Sequence, residues 1–396
     1  MNAHLSESWN SASLVKDEAW RFAQISRVRL DGFSTPAEPD AAVVEKYIDE
    51  ARRRALGASG ILVFVDERLV FSQLSDEALA VGARFEAASD IPFSTTPRLG
   101  MEALIQHHDA VSRSGFILSV PADKRFDEPF VVFRWQCSAG SASFPASRVE
   151  IGRNGFAKLC EFYSAEAEAD ATLTLSRNEI LVADGAEFSR DFVQALAPAS
   201  KMYRTENVVA GENATVRGVD FCLGALHART ATEFCANGRD ALLDWRALNV
   251  ASGEQEIDWR TIQRHAAPGA RSNLLCKNAL LDRSRTIFSG SILVDKIAQQ
   301  TNAVQSCRNL VLSEDAEAHS LPGLEIDAND VQCSHGATTG TLDADQLFYL
   351  LQRGLPEADA RMLLTLGFMD EVINACAGCA VADFVREKIA EKFGTR

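Results

Sequence analysis

Apolar and polar positions alternate along this chain with two different periods, and the changes of period divide it. From 40 to about 56, Val43, Val44, Tyr47, Ile48 and Ala51 recur at helical spacing, with Gly57 as a stop. Ahead of them, Asp17-Glu18-Ala19-Trp20-Arg21-Phe22 reads as a helical turn with an acidic start. Residues 61–65 and 68–71 then read as two strands joined across Asp66-Glu67. These elements predict an N-terminal α/β domain over 1–115.

From about 116 to 331 the helical period disappears. Thr172 and Thr174 alternate with Ala171, Leu173 and Leu175, and Val219, Phe221 and Leu223 alternate with Gly218, Asp220 and Cys222. Residues 227–234 and 286–294 are further β-rich runs. Turn clusters separate them, such as Gly211-Glu212-Asn213, Ala236-Asn237-Gly238, Ser252-Gly253 and Pro268-Gly269. Asp244-Trp245-Arg246 and Asp258-Trp259-Arg260 repeat one start. Evenly spaced short strands over such a length must close, sandwich or coil to dispose of their edges. A β-helix fits the regular punctuation, because each rung buries its apolar face against its neighbours. Pattern alone leaves a sandwich or barrel open. The β core is expected over 116–340.

The helical period returns in 341–396. Asp343 with Gln346 resembles a capping box ahead of Leu347, Phe348, Leu350 and Leu351, and Gly354 ends that helix. Pro356 opens a second helix through Ala360, Leu363, Leu364 and Gly367, and Val381, Phe384, Val385 and Ile389 give a final amphipathic one. This unit is too small to stand alone, and it is expected to pack on the end of the β domain.

Composition narrows the function. The 396 residues are 46% hydrophobic and 24% charged, ordinary for a soluble globular protein. A formal net charge of −15 disfavours nucleic acid and anionic membrane as partners. Nine cysteines, an odd number, argue for free thiols in a reducing compartment. The first ten residues are polar and lack the apolar core of a secretory signal, and no apolar run approaches a membrane helix. The expectation is a cytoplasmic protein.

The densest candidate chemistry is Cys333-Ser334-His335-Gly336. On a strand, a thiol and an imidazole two residues apart project to one face, and both are ligands for iron or zinc. A pair is short of the usual four ligands, so the rest must come from far away or from another chain. Cys376 and Cys379 read as small core residues sharing a helix face, Cys222, Cys235, Cys276 and Cys307 as core thiols, and His107-His108 as surface. Lys201, Arg204 and Glu206 are either a polar site or a solvated face. There is no G-x-x-x-x-G-K-[ST], no G-x-G-x-x-G after a strand and no G-x-S-x-G elbow. An acidic site of the polysaccharide-enzyme kind could be built only from Asp327, Asp330 and Asp343.

The stretch 321–354, LPGLEIDANDVQCSHGATTGTLDADQLFYLLQRG, resembles the SufB/SufD family of iron–sulfur cluster assembly scaffolds. Phe288-Ser289-Gly290, Gln299-Gln300-Thr301-Asn302-Ala303 and Cys307-Arg308-Asn309-Leu310-Val311-Leu312-Ser313 carry the likeness upstream, and Gly367-Phe368 with Glu371-Val372 downstream. Glu18-Ala19-Trp20-Arg21 and Leu62-Val63-Phe64-Val65 extend it weakly over most of the chain. Cys-Ser-His-Gly at 333–336 is similar to the SufD branch, where the SufB branch has a Glu-His-Glu type motif. Asn329-Asp330 departs from a frequent acidic pair, and 101–108 departs from a Leu-Asn pair.

The resemblance implies a right-handed parallel β-helix between the α/β and helical domains. It implies a heterodimer with SufB through the last β-helix strands, a SufC ATPase on the C-terminal domain, and a homodimer in isolation. His335, and with less support Cys333, would touch a nascent iron–sulfur cluster shared with SufB. No catalytic residue and no cofactor on the isolated subunit are expected, the ATPase activity belonging to SufC. Two rival readings are a stand-alone homodimeric structural or storage protein and a β-helix carbohydrate-active enzyme.

Overall fold

A computed structural model describes residues 17–96, 98–165 and 171–393, with the side chain of Cys379 also left out of the description. The expected absence of a signal in the first ten residues therefore lies outside the described residues. The N-terminal region contributes α1 (Ala41–Arg54), β1 (Gly60–Val65), β2 (Arg68–Leu74), α2 (Asp76–Ala80), β3 (Arg84–Ala88) and α3 (Glu102–Val111). Strands follow without a helix: β4 (Ser114–Val120), β5 (Phe130–Gln136), β6 (Ala142–Ser143), β7 (Pro145–Ile151), β8 (Phe156–Ala165), β9 (Leu173–Val182), β10 (Glu187–Ala195) and β11 (Lys201–Ala210). They continue as β12 (Thr215–Cys222), β13 (His227–Ala236), β14 (Leu242–Ala251), β15 (Glu256–His265), β16 (Arg271–Leu280), β17 (Arg285–Val294), β18 (Thr301–Val311), β19 (Glu317–Ile326) and β20 (Val331–Gly340). The chain ends in α4 (Ala344–Gln352), α5 (Glu357–Ile373) and α6 (Cys379–Lys392).

The central strands wind into a parallel β-solenoid of about eight turns, which resolves the choice the pattern left open. Each turn gives one strand to each of two sheets, ordered β2-β1-β5-β8-β10-β12-β14-β16-β18-β20 and β19-β17-β15-β13-β11-β9-β7-β4-β3. Pairing along both is parallel except at β1/β2 and β3/β4. Of the turn clusters read in the sequence, Gly253, between β14 and β15, lies at one corner, and Asn213 and Gly269 stack along the other. Asn154, Gly185, Asn213, Asp240, Gly269 and Gln300 take positive φ there, and their N–H groups donate to carbonyls of the following turn, as from Asn213 to Arg239 at 2.8 Å and Gly269 to Gln299 at 2.9 Å.

Between the sheets runs a lumen packed by side chains. Both tryptophans of the repeated Asp-Trp-Arg motif enter it, Trp245 against Phe234 and Trp259 against Phe288, while the flanking charges point outward. Gly218 pairs in register with Trp245, and a Cβ there would lie 2.5 Å from the indole, so the rung needs glycine. Asparagines line another lumen column. Asn249 Nδ2 donates to Asn278 Oδ1 at 2.7 Å, and Asn278 Nδ2 to Asn309 Oδ1 at 2.6 Å. Asn309 Nδ2 continues to the Thr338 carbonyl at 3.2 Å and Thr339 Oγ1 at 3.0 Å, tying β20 to the stack.

Each sheet is also covered outside. An N-terminal strap through Trp20, Val28 and Leu30 lies with α3 on the second sheet. Arg229 donates to the Ala19 and Leu99 carbonyls at 2.6 and 2.7 Å with Trp20 against its guanidinium, and Glu256 accepts from Gln24 N at 2.9 Å. The first sheet carries α1, α5 and α6, whose Tyr47, Ala51, Met369, Val372, Phe384 and Ile389 bury against Phe162, Val193, Phe221 and Leu248. The C-terminal helices therefore lie across a sheet face, not on the end of the β domain as expected. The reason is that Val219, Phe221 and Leu223 face outward and are apolar, so this sheet is hydrophobic on both sides. Only α4, which has no buried residue, projects clear of it.

The asparagine column generates a stability prediction. Asn278→Ala should lower unfolding free energy by roughly 2–4 kcal/mol, since it strands polar groups of Asn249 and Asn309 in the lumen. Asn273→Ala, on the outer face of the same strand, should cost under about 0.5 kcal/mol in the same urea titration.

Candidate functional site at the open end of the solenoid

The two ends of the stack differ. At the first, antiparallel β2 and β3 terminate the sheets. At the other, β19 and β20 are edge strands, each paired on one side only. Cys333 and His335 lie in register with Ala303 and Gln305 of β18, both buried lumen residues, so the thiol and imidazole share the lumen side of the last turn. Cys333 is half-buried against Ile292, Val294, Ala298 and Ala303. Burial pushes its thiol above the ordinary value, against a backbone hydrogen bond at Ala303. His335 is exposed, and its imidazole makes no hydrogen bond among the described residues.

Opposite them in β19, Leu324 and Ile326 are lumen positions by register with Ile292 and Val294, yet 41% and 37% exposed, because no further rung covers them. The end of the solenoid is thus an apolar surface bearing one thiol and one imidazole. Among the described residues no group of three or more His, Cys, Asp or Glu converges as a metal site. This turn offers two soft or borderline donors and lacks the rest of a ligand set.

Beneath His335 the lumen is polar. Gln305 crosses to donate to the Gly290 carbonyl at 3.0 Å, and the space it fills is left by that glycine. Gln263 Nε2 donates to Ser272 Oγ at 2.8 Å, and Ser272 Oγ lies 2.8 Å from His265 Nε2. Gln263 Oε1, Gln305 Oε1 and His265 Nδ1 are buried without a protein partner. Burial lowers His265 to about 4.

Other expected positions fall elsewhere. Arg204 and Glu206 form no solvated face; both are lumen residues in a buried ion network. There Arg190 bonds Glu161 at 2.8 Å and Glu206 at 2.7 Å, and Arg204 pairs with Asp220. Lys201 stands apart, half-buried beside Phe33. His108 is not at the surface but fully buried, with Nδ1 3.0 Å from Asp109 and Nε2 3.0 Å from the Pro145 carbonyl, and His107 packs against Phe144. Adjacent helical residues diverge, but α3 is clamped between strap and sheet, so both directions are covered. Cys376 precedes α6 and does not share a helix face with Cys379. Asp343 caps α4 and Asp330 sits in the corner turn, so they build no acidic cleft.

The sequence reading missed the asparagine column and the polar lumen. Their signal is a spacing of 29 and 31 residues between like side chains, one solenoid turn.

Fold and end together define the class: a β-solenoid whose donor atoms sit on an unpaired terminal turn and not in an enclosed pocket. The chain belongs to the SufBD family of the SUF system of iron–sulfur cluster assembly, whose SufBD core domain matches residues 133–368, more than half of it. The iron–sulfur cluster assembly protein SufD of Escherichia coli is 26% identical over 388 residues, covering 95% of this chain and 88% of that protein. SufD of Bacillus subtilis is 26% identical over 271 residues, 67% of this chain and 61% of that protein. A SufBD family protein of Synechocystis is 34% identical over 197 residues, 50% of this chain and 44% of that protein. No helix among the described residues is long and apolar enough to cross a membrane.

His265 generates a pH prediction. Its folded value near 4 lies below the ordinary 6.5, so the neutral ring's contribution is present above about 6.5 and lost as pH falls toward 4. Asp191, raised from 3.8 to about 7 by burial, has the opposite sign across that whole range. Comparing urea unfolding at pH 7 and 5, His265→Gln should therefore show a shallower acid loss than wild type, by up to about 2 kcal/mol.

Proposed function

We propose that this protein is a SufD-type, non-ATPase scaffold subunit of a cytoplasmic SUF complex and not itself an enzyme. Its last turn pairs with SufB, and His335, with Cys333 in support, meets a nascent iron–sulfur cluster whose other ligands come from SufB. The cluster is cargo and not a resident group. The carrying observation is the terminal turn, where unpaired β19 and β20 edges, exposed Leu324 and Ile326 and an incomplete donor pair coincide. A second chain adding strands there would satisfy the edge amides, cover the apolar rim and supply ligands at once.

In this reading the units 1–115, 116–340 and 341–396 divide the work, and SufC docks on the C-terminal helices. Phe348, Tyr349 and Leu363 are exposed there at 60%, 56% and 52%. ATP-driven movement of SufC would pull on helices already fastened to the first sheet. Asp191 accepts from Ala377 N and Gly378 N at 2.9 and 3.2 Å, Lys277 Nζ bonds Glu371 at 2.6 Å, and Lys392 Nζ donates to the Val250 carbonyl at 2.7 Å. A stiff stack carries that displacement to the open end.

Co-expression of the tagged chain with SufB and SufC of the same genome tests the assembly. Mass determination should find one SufB, one copy of this chain and two SufC. A homodimer that ignores both would overturn the scaffold reading and favour the structural or storage one. In the assembled complex, His335→Ala should cut cluster formation, followed by visible absorbance, to below about a tenth. It should leave the melting temperature unchanged, since the side chain is exposed. An unchanged rate would remove His335 from the site.

A further inference from the structure

Two lumen cysteines take no part in the proposed site. Cys276 and Cys307 pair in register on adjacent rungs β16 and β18, both turned inward and both 0% exposed. Neighbouring strands lie about 4.7–4.9 Å apart, inside the roughly 4.4–6.8 Å window of Cα separations that a disulfide spans. The asparagine column runs beside them. Asn249 Nδ2 donates to Cys276 Sγ at 3.6 Å and Asn278 Nδ2 to Cys307 Sγ at 3.5 Å, while Ser320 Oγ of β19 lies 3.4 Å from Cys307 Sγ.

We propose that Cys276 and Cys307 form a redox-active dithiol, closed to a disulfide by a small hydroperoxide, with Cys307 as the attacking sulfur and Cys276 as the resolving one.

The two thiols are unequal. A hydrogen bond from Cys276 holds Cys307 below the ordinary thiol value against the cost of burial, with Ser320, Asn278 and Asn309 adding to it. Burial pushes Cys276 well above that value. Both are thiols at rest, and Cys307, met by Asn278 Nδ2 and Ser320 Oγ, is the more readily deprotonated of the two.

Sealed sulfurs admit only a reagent about the size of water, which selects a hydroperoxide over a bulky disulfide. The open end is the shorter way in, since on that side only the last turn, with Ala337 in register and Ser320 beside the sulfur, covers Cys307. The Cys307 thiolate attacks one peroxide oxygen, the O–O bond breaks, and hydroxide leaves a sulfenic acid. The Cys276 thiol then displaces that oxygen as water and closes the S–S bond. With hydrogen peroxide the leaving hydroxide takes up the proton lost by Cys307, so overall two thiols lose two electrons and two protons and one peroxide becomes two waters.

Closure also has a consequence for the last turn. Cys307 donates its S–H toward Asn309 Oδ1 at 3.6 Å, and Asn309 is the residue that bonds Ser320, Thr338 and Thr339. Oxidation removes that donor from the residue holding β19 and β20, so the state of the dithiol is felt by the edge strands.

The test uses the whole chain without partners, so its outcome is separate from that of the scaffold reading. Trypsin places Cys276 in the peptide 272–277 and Cys307 in 297–308, joined only if the disulfide forms. After hydrogen peroxide, non-reducing mass spectrometry should find them linked in most molecules. Cys307 should be consumed at least about tenfold faster than the partly buried Cys235, which burial raises to about 11. Cys276→Ser should leave Cys307 as a sulfenic acid trapped by dimedone, and Cys307→Ala should leave Cys276 reduced. Wild-type protein in which both thiols remain alkylatable after unfolding, or in which Cys307 reacts no faster than Cys235, would overturn the proposal without depending on any variant's folding.

Discussion

A parallel stack of strands satisfies its backbone hydrogen bonds everywhere except at its ends, and this constraint organises the whole molecule. At the start each sheet ends on an antiparallel strand, β2 or β3, that caps the first parallel strand and is itself paired on one side only. At the finish the last turn is left open on β19 and β20. The open end keeps lumen-type residues such as Leu324 and Ile326 in contact with solvent. It also leaves the thiol of Cys333 and the imidazole of His335 at a surface instead of inside a packed turn. An uncovered last turn thus accounts for both the exposed lumen residues and the incomplete donor set.

In-register stacking equally dictates what the lumen can hold. Like residues fall above one another once per turn, so a single asparagine gains a partner only if its neighbours one turn away are also polar. Asn249, Asn278 and Asn309 meet that condition, and their amides continue into β20. The ion network of Glu161, Arg190, Arg204, Glu206 and Asp220 is its charged counterpart on the earlier turns. A buried pair of this kind adds little net stability over an apolar core, but losing one partner is costly. The lumen is therefore specified more sharply than a core of aliphatic side chains alone.

The first sheet is packed on both faces, which turns it into a mechanical link. Its inner face packs the lumen and its outer face seats α1, α5 and α6. Ion pairs and carbonyl contacts at Lys277, Asp191 and Lys392 fasten those helices to successive rungs. α4 alone stands off, exposing its apolar side chains. The projecting helix and the open solenoid end are thus joined through a continuous hydrogen-bonded sheet.

Local chemistry made much of this legible from residue order alone. Glycine, asparagine and aspartate marked the corner turns because those positions need positive φ, and Asp343 marked the start of α4 because its carboxylate caps the free amide of Gln346. Alternation in 219–223 marked a strand, and Cys333 and His335 were placed on one face by the period of two. The pattern could not say which face of a strand looks into the lumen and which onto a helix, since Phe221 and Val216 are equally apolar and equally buried. That choice depends on what the rest of the chain lays against each side. For the same reason His108 reads as surface and is buried, Arg204 and Glu206 read as a polar site or a solvated face and are buried in the lumen, and the final helices lie on a sheet face and not at an end. Sequence determined the strands, the turns and the donor pair through short-range geometry; tertiary structure decided inside from outside, because burial is a property of contacts made across a full turn or more of the chain.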